Sequence, residues 1–193
     1  MNELFEIYEK YKAHSDKGTK HSFINFYEGL FLPYKNKEIN LLEIGVQRGA
    51  SLNLWNDYFV NAKSITGMDI DASSILDEER EKWTDKICLI EGDSTSSETL
   101  LKFDIIIDDG DHSYRTQIRT FENLYHKLKI GGVYVVEDVS KESMWRFAKY
   151  YKDLGPACLD FREHRREELG RHCEHNQLVV FFKDKEWNPR SGD

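Results

Sequence analysis

The sequence predicts an α/β protein whose doubly wound, mostly parallel sheet has seven strands and an antiparallel hairpin at its carboxyl-terminal edge. Short apolar runs alternate with amphipathic segments between residues 39 and 136, which is typical of a parallel sheet with helices on both faces. Two further apolar runs near the end are separated only by a polar loop, as in an antiparallel pair. The length of 193 residues, with 39% hydrophobic and 32% charged residues, suits one folded domain.

The chain is predicted to begin with two amphipathic helices joined by a polar link over residues 13–21. Leu4 and Tyr8 share one face of the first helix. The second helix, over residues 23–31, repeats apolar residues at intervals of three and four and ends before Pro33. This spacing gives a helix one continuous apolar face.

Five short apolar runs are predicted as buried parallel strands, and two amphipathic stripes between them as helices. The strands are expected at residues 39–44, 64–68, 87–90, 103–107 and 133–136. The helices are expected around Leu52, Trp55 and Phe59 and around Ile118, Phe121, Tyr125 and Leu128. The closing hairpin is expected to pair residues 157–161 with residues 177–182.

Composition excludes several classes of protein. No apolar run approaches the ~20 residues that span a membrane, and the acidic amino terminus is unlike a secretory signal. Three cysteines at irregular spacing give no disulfide framework, which favours a reducing compartment and a cytoplasmic location. The net charge of −8 argues against sequence-independent binding of nucleic acid. We therefore expect neither nucleic acid nor membrane as a partner.

The first predicted strand leads into a glycine turn and then a helix. Gly45 and Gly49 let the backbone approach a ligand closely because glycine has no Cβ, and we expect Ser51 to cap the helix. The pattern is not the G-x-G-x-x-G of dinucleotide sites. An ordinary strand-to-helix turn stays open as the alternative.

Acids after the next two strands indicate a nucleoside-type ligand. Asp69 lies 20 residues after Gly49, at the end of the second strand, where an acid accepts hydrogen bonds from ribose hydroxyls. Asp93 and Ser94 follow the third strand after Gly92, and Asp93 is placed to accept from an adenine amine. A simple Gly-Asp turn would explain the presence of Gly92 and Asp93 equally well.

Acidic side chains cluster after the fourth and fifth strands, beside one histidine. They are Asp108, Asp109, Asp111, Glu137 and Asp138, with His112 next to them. The carboxyl ends of parallel strands meet at one edge of the sheet, and so many like charges need a cation or raised pKa values. Oxygen ligands favour Mg²⁺ or another hard divalent cation, whereas the absence of thiolates and the presence of only one nearby histidine disfavour zinc.

Individual roles are predicted for His112 and for two of the acids. His112 lies three residues after Asp109 and is placed to act as a base. Asp108 or Asp111 is an alternative cap for the helix that starts near Ser113. Such capping would leave Glu137 and Asp138 unexplained.

The polar loop near the carboxyl terminus is open to two interpretations. Four arginines within residues 162–171 lie among acids, as in a solvated hairpin loop, although guanidinium groups also grip anionic substrates. The run His-Cys-Glu-His at residues 172–175 contains metal-ligand types but lacks a second pair of ligands. Trp145 is a candidate wall for a substrate.

Together these motifs resemble class I S-adenosylmethionine-dependent methyltransferases. More narrowly, the sequence is similar to macrocin- and mycinamicin-type sugar O-methyltransferases and to cephalosporin-hydroxylase-type proteins. The most specific stretch is I-D-D-G-D-H at residues 107–112, followed by Thr120-Phe121, Gly131-Gly132 and Glu137-Asp138. The resemblance covers roughly two thirds of the chain, from residue 16 to about residue 145.

The resemblance implies a Rossmann-like fold and a metal-dependent O-methyltransferase that acts on a hydroxyl of a sugar or similar small diol. It implies that Asp109, Glu137 and Asp138 hold Mg²⁺ and that His112 is the general base, with Asp109 also in the catalytic centre. The S-adenosylmethionine site would comprise Thr19, Glu43, Gly45, Gly49, Ser51, Asp69, Asp93, Ser94 and Asp108. Residues 1–34 would form a helical lid segment that folds residues 16–21 over the cofactor, residues 35–185 the methyltransferase domain, and residues 186–193 a loose tail.

Two departures from the family pattern and two competing functions accompany this prediction. Asp111 stands where the family usually has serine, and from its length we expect the chain to lack the extra domain that some relatives carry. One alternative is a non-catalytic cofactor-binding module. The other is a hydroxylase-like relative, which the absence of a two-histidine, one-carboxylate set disfavours.

The expected partner is a small molecule (a sugar, nucleotide-sugar or polyol), and aromatic side chains on the first two helices offer a face for a homo-oligomer.

Overall fold

A computed structural model describes residues 2–165 and 176–187. It contains one seven-stranded sheet in the order β3-β2-β1-β4-β5-β7-β6. The strands are β1 (Asn40–Ile44), β2 (Ser64–Asp69), β3 (Ile87–Glu91), β4 (Phe103–Asp108), β5 (Leu128–Val136), β6 (Ala157–Asp160) and β7 (Gln177–Phe182). The helices are α1 (Glu3–Tyr8), α2 (Phe23–Phe31), α3 (Ala50–Tyr58), α4 (Asp77–Arg80), α5 (Tyr114–Leu124) and α6 (Lys141–Tyr150).

The first five strands are parallel, and β7 joins β5 and β6 antiparallel to both. The predicted fold class, including the antiparallel pair at one edge, is therefore confirmed. Across the central strands Ile44 is in register with Met68 and Asp108, and Asp108 with Val136. The carboxyl ends of β1, β2, β4 and β5 thus lie side by side, and the residues that follow them meet at one edge.

Alternation along each strand divides the buried apolar side chains into two layers. Leu41 and Ile105 face the layer covered by α1, α2 and α3. Leu42 and Ile106 face the layer covered by α5 and α6. Because successive strand side chains point to opposite faces, Glu43 shares the first face with Leu41, beneath the amino-terminal helices.

The two amino-terminal helices belong to the first of these layers. Leu4, Phe23 and Phe31 are fully buried, and the Tyr27 ring meets the Trp55 ring edge-on with centroids 5.8 Å apart. Burying large aromatic side chains stabilises a fold by about 1.5–3 kcal/mol each. Residues 3–31 are therefore anchored to the sheet through α3.

Several predicted boundaries differ from the structure. Strand β5 begins at Leu128, which we assigned to a helix. The strand is irregular between the pairs Phe103–Leu128 and Ile105–Val133, where Gly131 has a φ of 82°. Helices α4 and α6 were not predicted. Trp187, assigned to the loose tail, packs on Phe121 with ring centroids 5.8 Å apart, so that assignment is wrong for Trp187.

Within the described ranges, no helix combines the length and apolar character needed to cross a membrane.

Candidate active site

A crevice of about 560 Å³ opens at the carboxyl edge of the parallel strands. It brings together seven of the predicted site residues, from the ends of the five parallel strands. These are Gly45, Asp69, Asp93, Ser94, Asp109, His112 and Asp138. The crevice also contacts Asp16 of the predicted lid, together with Thr116 and Arg119 of α5.

The glycine turn after β1 forms one wall of the crevice. Gly45 has a φ of 81°, and a Cβ there would lie 2.0 Å from the carbonyl oxygen of Asp109. Asp69 Oδ2 accepts the backbone N–H groups of Val46 at 2.8 Å and Gln47 at 3.0 Å. This turn therefore depends on glycine and on Asp69, whose carboxylate holds the turn from the end of β2.

The start of α3 differs from the prediction. Gly49, with a φ of 92°, occupies the N-cap position, so the expected capping by Ser51 is wrong. The Ser51 hydroxyl instead donates to Glu43 Oε2 at 2.6 Å, and both side chains are buried. Glu43, Gly49 and Ser51 do not line the crevice, and their assignment to a cofactor stays a prediction, as does that of Thr19.

The turn after β3 is held by its own polar groups. Asp93 Oδ1 accepts the backbone N–H of Thr95 at 2.8 Å, which lowers the pKa of the Asp93 carboxyl. The Ser94 hydroxyl lies 2.8 Å from that of Thr120 on α5. Asp93 therefore stays ionised and faces the crevice as a hydrogen-bond acceptor.

Three predicted residues converge at the end of the crevice beside β4 and β5. One ligand atom each of Asp109, His112 and Asp138 lies within 4.8 Å of the other two. His112 Nε2 is 3.5 Å from Asp138 Oδ2. Burial, followed by the nearby charge of Asp109, raises the pKa of Asp138 to about 8. These groups carry an excess of negative charge that the protein compensates only in part.

Glu137, predicted to belong to this cluster, accepts hydrogen bonds from two buried side chains. Its Oε1 accepts the ammonium of Lys17 at 2.8 Å and the hydroxyl of Tyr27 at 2.7 Å. The same ammonium donates to Asp109 Oδ2 at 2.6 Å and lies 3.3 Å from Glu43 Oε1. Lys17 is not among the predicted site residues. It is separated from Glu137 by 120 positions, and its only sequence signal is its place in the predicted lid.

A second imidazole also reaches the cluster. His21 Nδ1 is 3.2 Å from Asp138 Oδ1, and its ring stacks on Phe23 with centroids 4.8 Å apart. Burial lowers the pKa of His21 to about 4, which keeps this ring neutral at physiological pH. The expectation of a single histidine near the acids was therefore wrong, because the link before α2 folds back over the sheet edge.

Neither acid proposed as a cap fills that position. Ser113 is the N-cap of α5, and its hydroxyl accepts the Thr116 N–H at 3.4 Å. Asp111 supports this turn by accepting the Ser113 N–H at 2.9 Å. Asp108 is buried away from the crevice, and burial raises its pKa to about 7.

The donor set fits a hard divalent cation. Asp109 and Asp138 offer carboxylate oxygens beside one imidazole nitrogen. Asp138 Oδ1 is buried and, although it lies 3.2 Å from His21 Nδ1, it makes no hydrogen bond of suitable geometry with the described residues. A buried acceptor of this kind is costly unless a cation or donor satisfies it. Carboxylate-rich sites of this composition suit Mg²⁺ or Mn²⁺.

Two peripheral candidates lie away from this site. Arg162 pairs with Asp160 at 2.5 Å rather than with the crevice, and the rest of the arginine cluster, with residues 172–175, lies outside the described side chains. Trp145 is exposed on α6, where Lys149 lies over its ring. Neither Arg162 nor Trp145 lines the crevice.

The sequence and structure match known proteins along the same segment. A family model described as a methyltransferase domain matches residues 42–139. Mycinamicin VI 2''-O-methyltransferase of Micromonospora griseorubida is 36% identical over 137 residues, covering 63% of this chain and 32% of that protein. Demethylmacrocin O-methyltransferase of Streptomyces fradiae is 32% identical over 136 residues, covering 63% and 33%. The chain thus spans about a third of the length of these relatives.

A solved structure extends the likeness over nearly the whole chain. The MycE methyltransferase of the mycinamycin biosynthetic pathway, in complex with Mg, SAH and mycinamycin VI, superposes with a TM-score of 0.66 at 25% identity. The match covers 98% of this chain and 56% of MycE. It includes the amino-terminal helices and both antiparallel strands, which the family model leaves out.

Proposed function

Since the chain belongs to this family of methyltransferase domains, we propose that it is a metal-dependent O-methyltransferase that uses S-adenosylmethionine. The observation that carries the proposal is the shared crevice. Its one end holds the glycine turn, Asp69 and Asp93, and its other end holds the convergent groups of Asp109, His112 and Asp138. A donor site and a site that activates a hydroxyl thus adjoin each other.

The cofactor end is suited to a nucleoside. Asp69 ends β2 and Asp93 follows the adjacent β3. Both line the crevice, where they are placed to accept from ribose hydroxyls and an adenine amine. Gly45 keeps the floor between them and Asp109 free of a side chain. Bound there, S-adenosylmethionine supplies a reactive methyl group, while the protein supplies position and electrostatics.

We propose that Asp109, Glu137 and Asp138 hold Mg²⁺ or a similar ion. The partly compensated charge of the cluster and the buried Asp138 Oδ1 support this assignment. A bound Mg²⁺ supplies Lewis acidity that lowers the pKa of an acceptor hydroxyl. The resemblance to relatives that include MycE, whose complex contains Mg, supports the same ion.

His112 is proposed as the general base. Its side chain is partly exposed, lines the crevice and lies 3.5 Å from Asp138. A neutral imidazole at this position takes the proton of the acceptor hydroxyl while Asp138 stabilises the imidazolium that forms. Asp109 contributes a carboxylate to the same centre, and its backbone carbonyl lies directly against Gly45 of the glycine turn.

The acceptor is proposed to be a hydroxyl of a sugar, nucleotide-sugar or similar polyol. By their names, the relatives described above are O-methyltransferases of mycinamicin VI and demethylmacrocin, and a diol matches a site that combines a cation with a base. We further propose that residues 1–34 form the lid segment of a methyltransferase domain at residues 35–185. Its link covers the crevice, which Asp16 reaches, while its two helices are packed into the core of the sheet. The free thiols of Cys88 and Cys158 support a reducing, cytoplasmic setting.

The direct test is methyl transfer to a panel of sugars and nucleotide-sugars, read by mass spectrometry. Each reaction is run with S-adenosylmethionine and Mg²⁺, and again with a chelator in excess. We expect one added methyl group on a diol only when the ion is present. Full activity in chelator would remove the metal from the proposal, and cofactor binding without transfer to any hydroxyl would favour a cofactor-binding module.

A further inference from the structure

Lys17 places an ammonium group beneath the acid cluster. The side chain is 2% exposed and contacts carboxylates that follow or belong to three neighbouring strands. Because a buried charge is costly unless it is paired and hydrogen-bonded, the three carboxylates compensate the burial of this ammonium. Correspondingly, although burial alone would lower it, Asp109, Glu137 and Glu43 raise the pKa of Lys17.

Lys17 contacts one carboxylate oxygen of each of two proposed ion ligands. Lys17 uses Asp109 Oδ2 and Glu137 Oε1, and Tyr27 donates to the same Glu137 Oε1. A carboxylate has two oxygens, so Asp109 Oδ1 and Glu137 Oε2 are not engaged by these donors. One oxygen of each carboxylate is thus held by the protein. The proposed metal site assigns the second oxygen of each carboxylate to the ion.

The backbone that carries Lys17 is a compact turn. The carbonyl of Asp16 accepts the N–H groups of Thr19, Lys20 and His21 at 3.0–3.1 Å. A Cβ on Gly18 would lie 2.6 Å from the Tyr8 ring, so the turn packs against α1 through glycine. The ammonium is therefore delivered by a backbone that is itself braced.

We propose that Lys17 is a positioning residue that orients Asp109 and Glu137 for the divalent ion from the inner side of the cluster. This inference rests on the proposed metal-dependent function. A positioning role for Lys17 and simple competition between Lys17 and the ion predict opposite changes in ion affinity when Lys17 is removed. If Lys17 only opposed the ion by like-charge repulsion, removing it would tighten ion binding, whereas loss of orientation weakens it.

The test is a Mn²⁺ titration followed by electron paramagnetic resonance, with the wild-type protein and Lys17→Met. Partners that orient metal ligands are typically worth about 10–100-fold in affinity, so we expect Lys17→Met to bind Mn²⁺ at least about tenfold more weakly. The affinity for S-adenosylhomocysteine, measured by calorimetry, should stay within about twofold, because Asp69 and Asp93 do not contact Lys17. That split separates orientation of the ligands from a general loss of structure.

Two further variants make the outcome decisive. Lys183→Met removes another buried ammonium, which donates to the Leu128 carbonyl at the opposite end of β5, and should leave Mn²⁺ affinity unchanged. Tyr27→Phe removes the second donor to Glu137 Oε1 without changing charge and should weaken Mn²⁺ binding in the same direction. Equal or tighter Mn²⁺ binding by both Lys17→Met and Tyr27→Phe would overturn the positioning role alone. A wild-type protein that binds no Mn²⁺ would overturn the proposed metal site together with it.

Discussion

The affinity of the acid cluster for a divalent ion should rise steeply with pH and level off near pH 8. In the ion-free protein burial and the charge of Asp109 raise the pKa of Asp138 to about 8, so this carboxyl is mostly protonated at lower pH. An ion binds the carboxylate form and must displace that proton. The slope therefore approaches about tenfold in apparent affinity per pH unit well below pH 8, which gives about 50-fold between pH 8 and pH 6.

Isothermal titration calorimetry with Mn²⁺ at pH 6, 7 and 8 measures this slope. Repeating the titration in buffers of different ionisation enthalpy counts the protons released, and we expect at least about one per ion at pH 7. Asp138→Asn is the matched control, because the amide keeps the shape of the side chain without a titrating proton, and its slope should be shallower. An affinity that does not change between pH 6 and pH 8 would show that no protonated carboxyl lies in the ion site.

Three further predictions concern catalysis and the glycine turn. His112→Ala should lose about 10²–10⁴-fold in turnover while binding S-adenosylhomocysteine normally by calorimetry; equal turnover would remove the base assignment. Asp109→Ala should show the same loss of methyl transfer as chelator-treated wild type, and a variant that still responds to Mg²⁺ would contradict its role as a ligand. Gly45→Ala should lower the free energy of unfolding by at least about 1–2 kcal/mol, since its φ is 81° and the added Cβ would meet Asp109; an unchanged thermal midpoint would refute the close approach.

Local patterns were enough to predict the sheet. Apolar runs mark buried parallel strands because both faces of such strands are covered, and residues 177–182 were predicted with the bounds that the structure shows. The start of β5 was missed because Gly131 and Gly132 interrupt the apolar run without ending the strand. Helix α6 was missed because its buried face is narrow, with only Ser143 and Phe147 buried.

The acidic side of the crevice was predictable from the order of the strands. Asp109 and Asp138 follow adjacent parallel strands, so topology alone places them together. The contacts of Lys17 and His21 depend on how the amino-terminal link folds back over the sheet, and no local spacing encodes a contact across 120 positions. Ser51 illustrates the opposite error, since its place near the helix start suggested a cap while its hydroxyl serves buried Glu43.

The central claim is that acids from two neighbouring strand ends converge on one divalent ion beside the methyl donor. The most direct measurement is an anomalous difference map from crystals grown with Mn²⁺ and S-adenosylhomocysteine. We predict one peak within about 2.0–2.3 Å of carboxylate oxygens of Asp109, Glu137 and Asp138, next to the cofactor sulfur. A map with the cofactor bound and no peak between these carboxylates would contradict the claim.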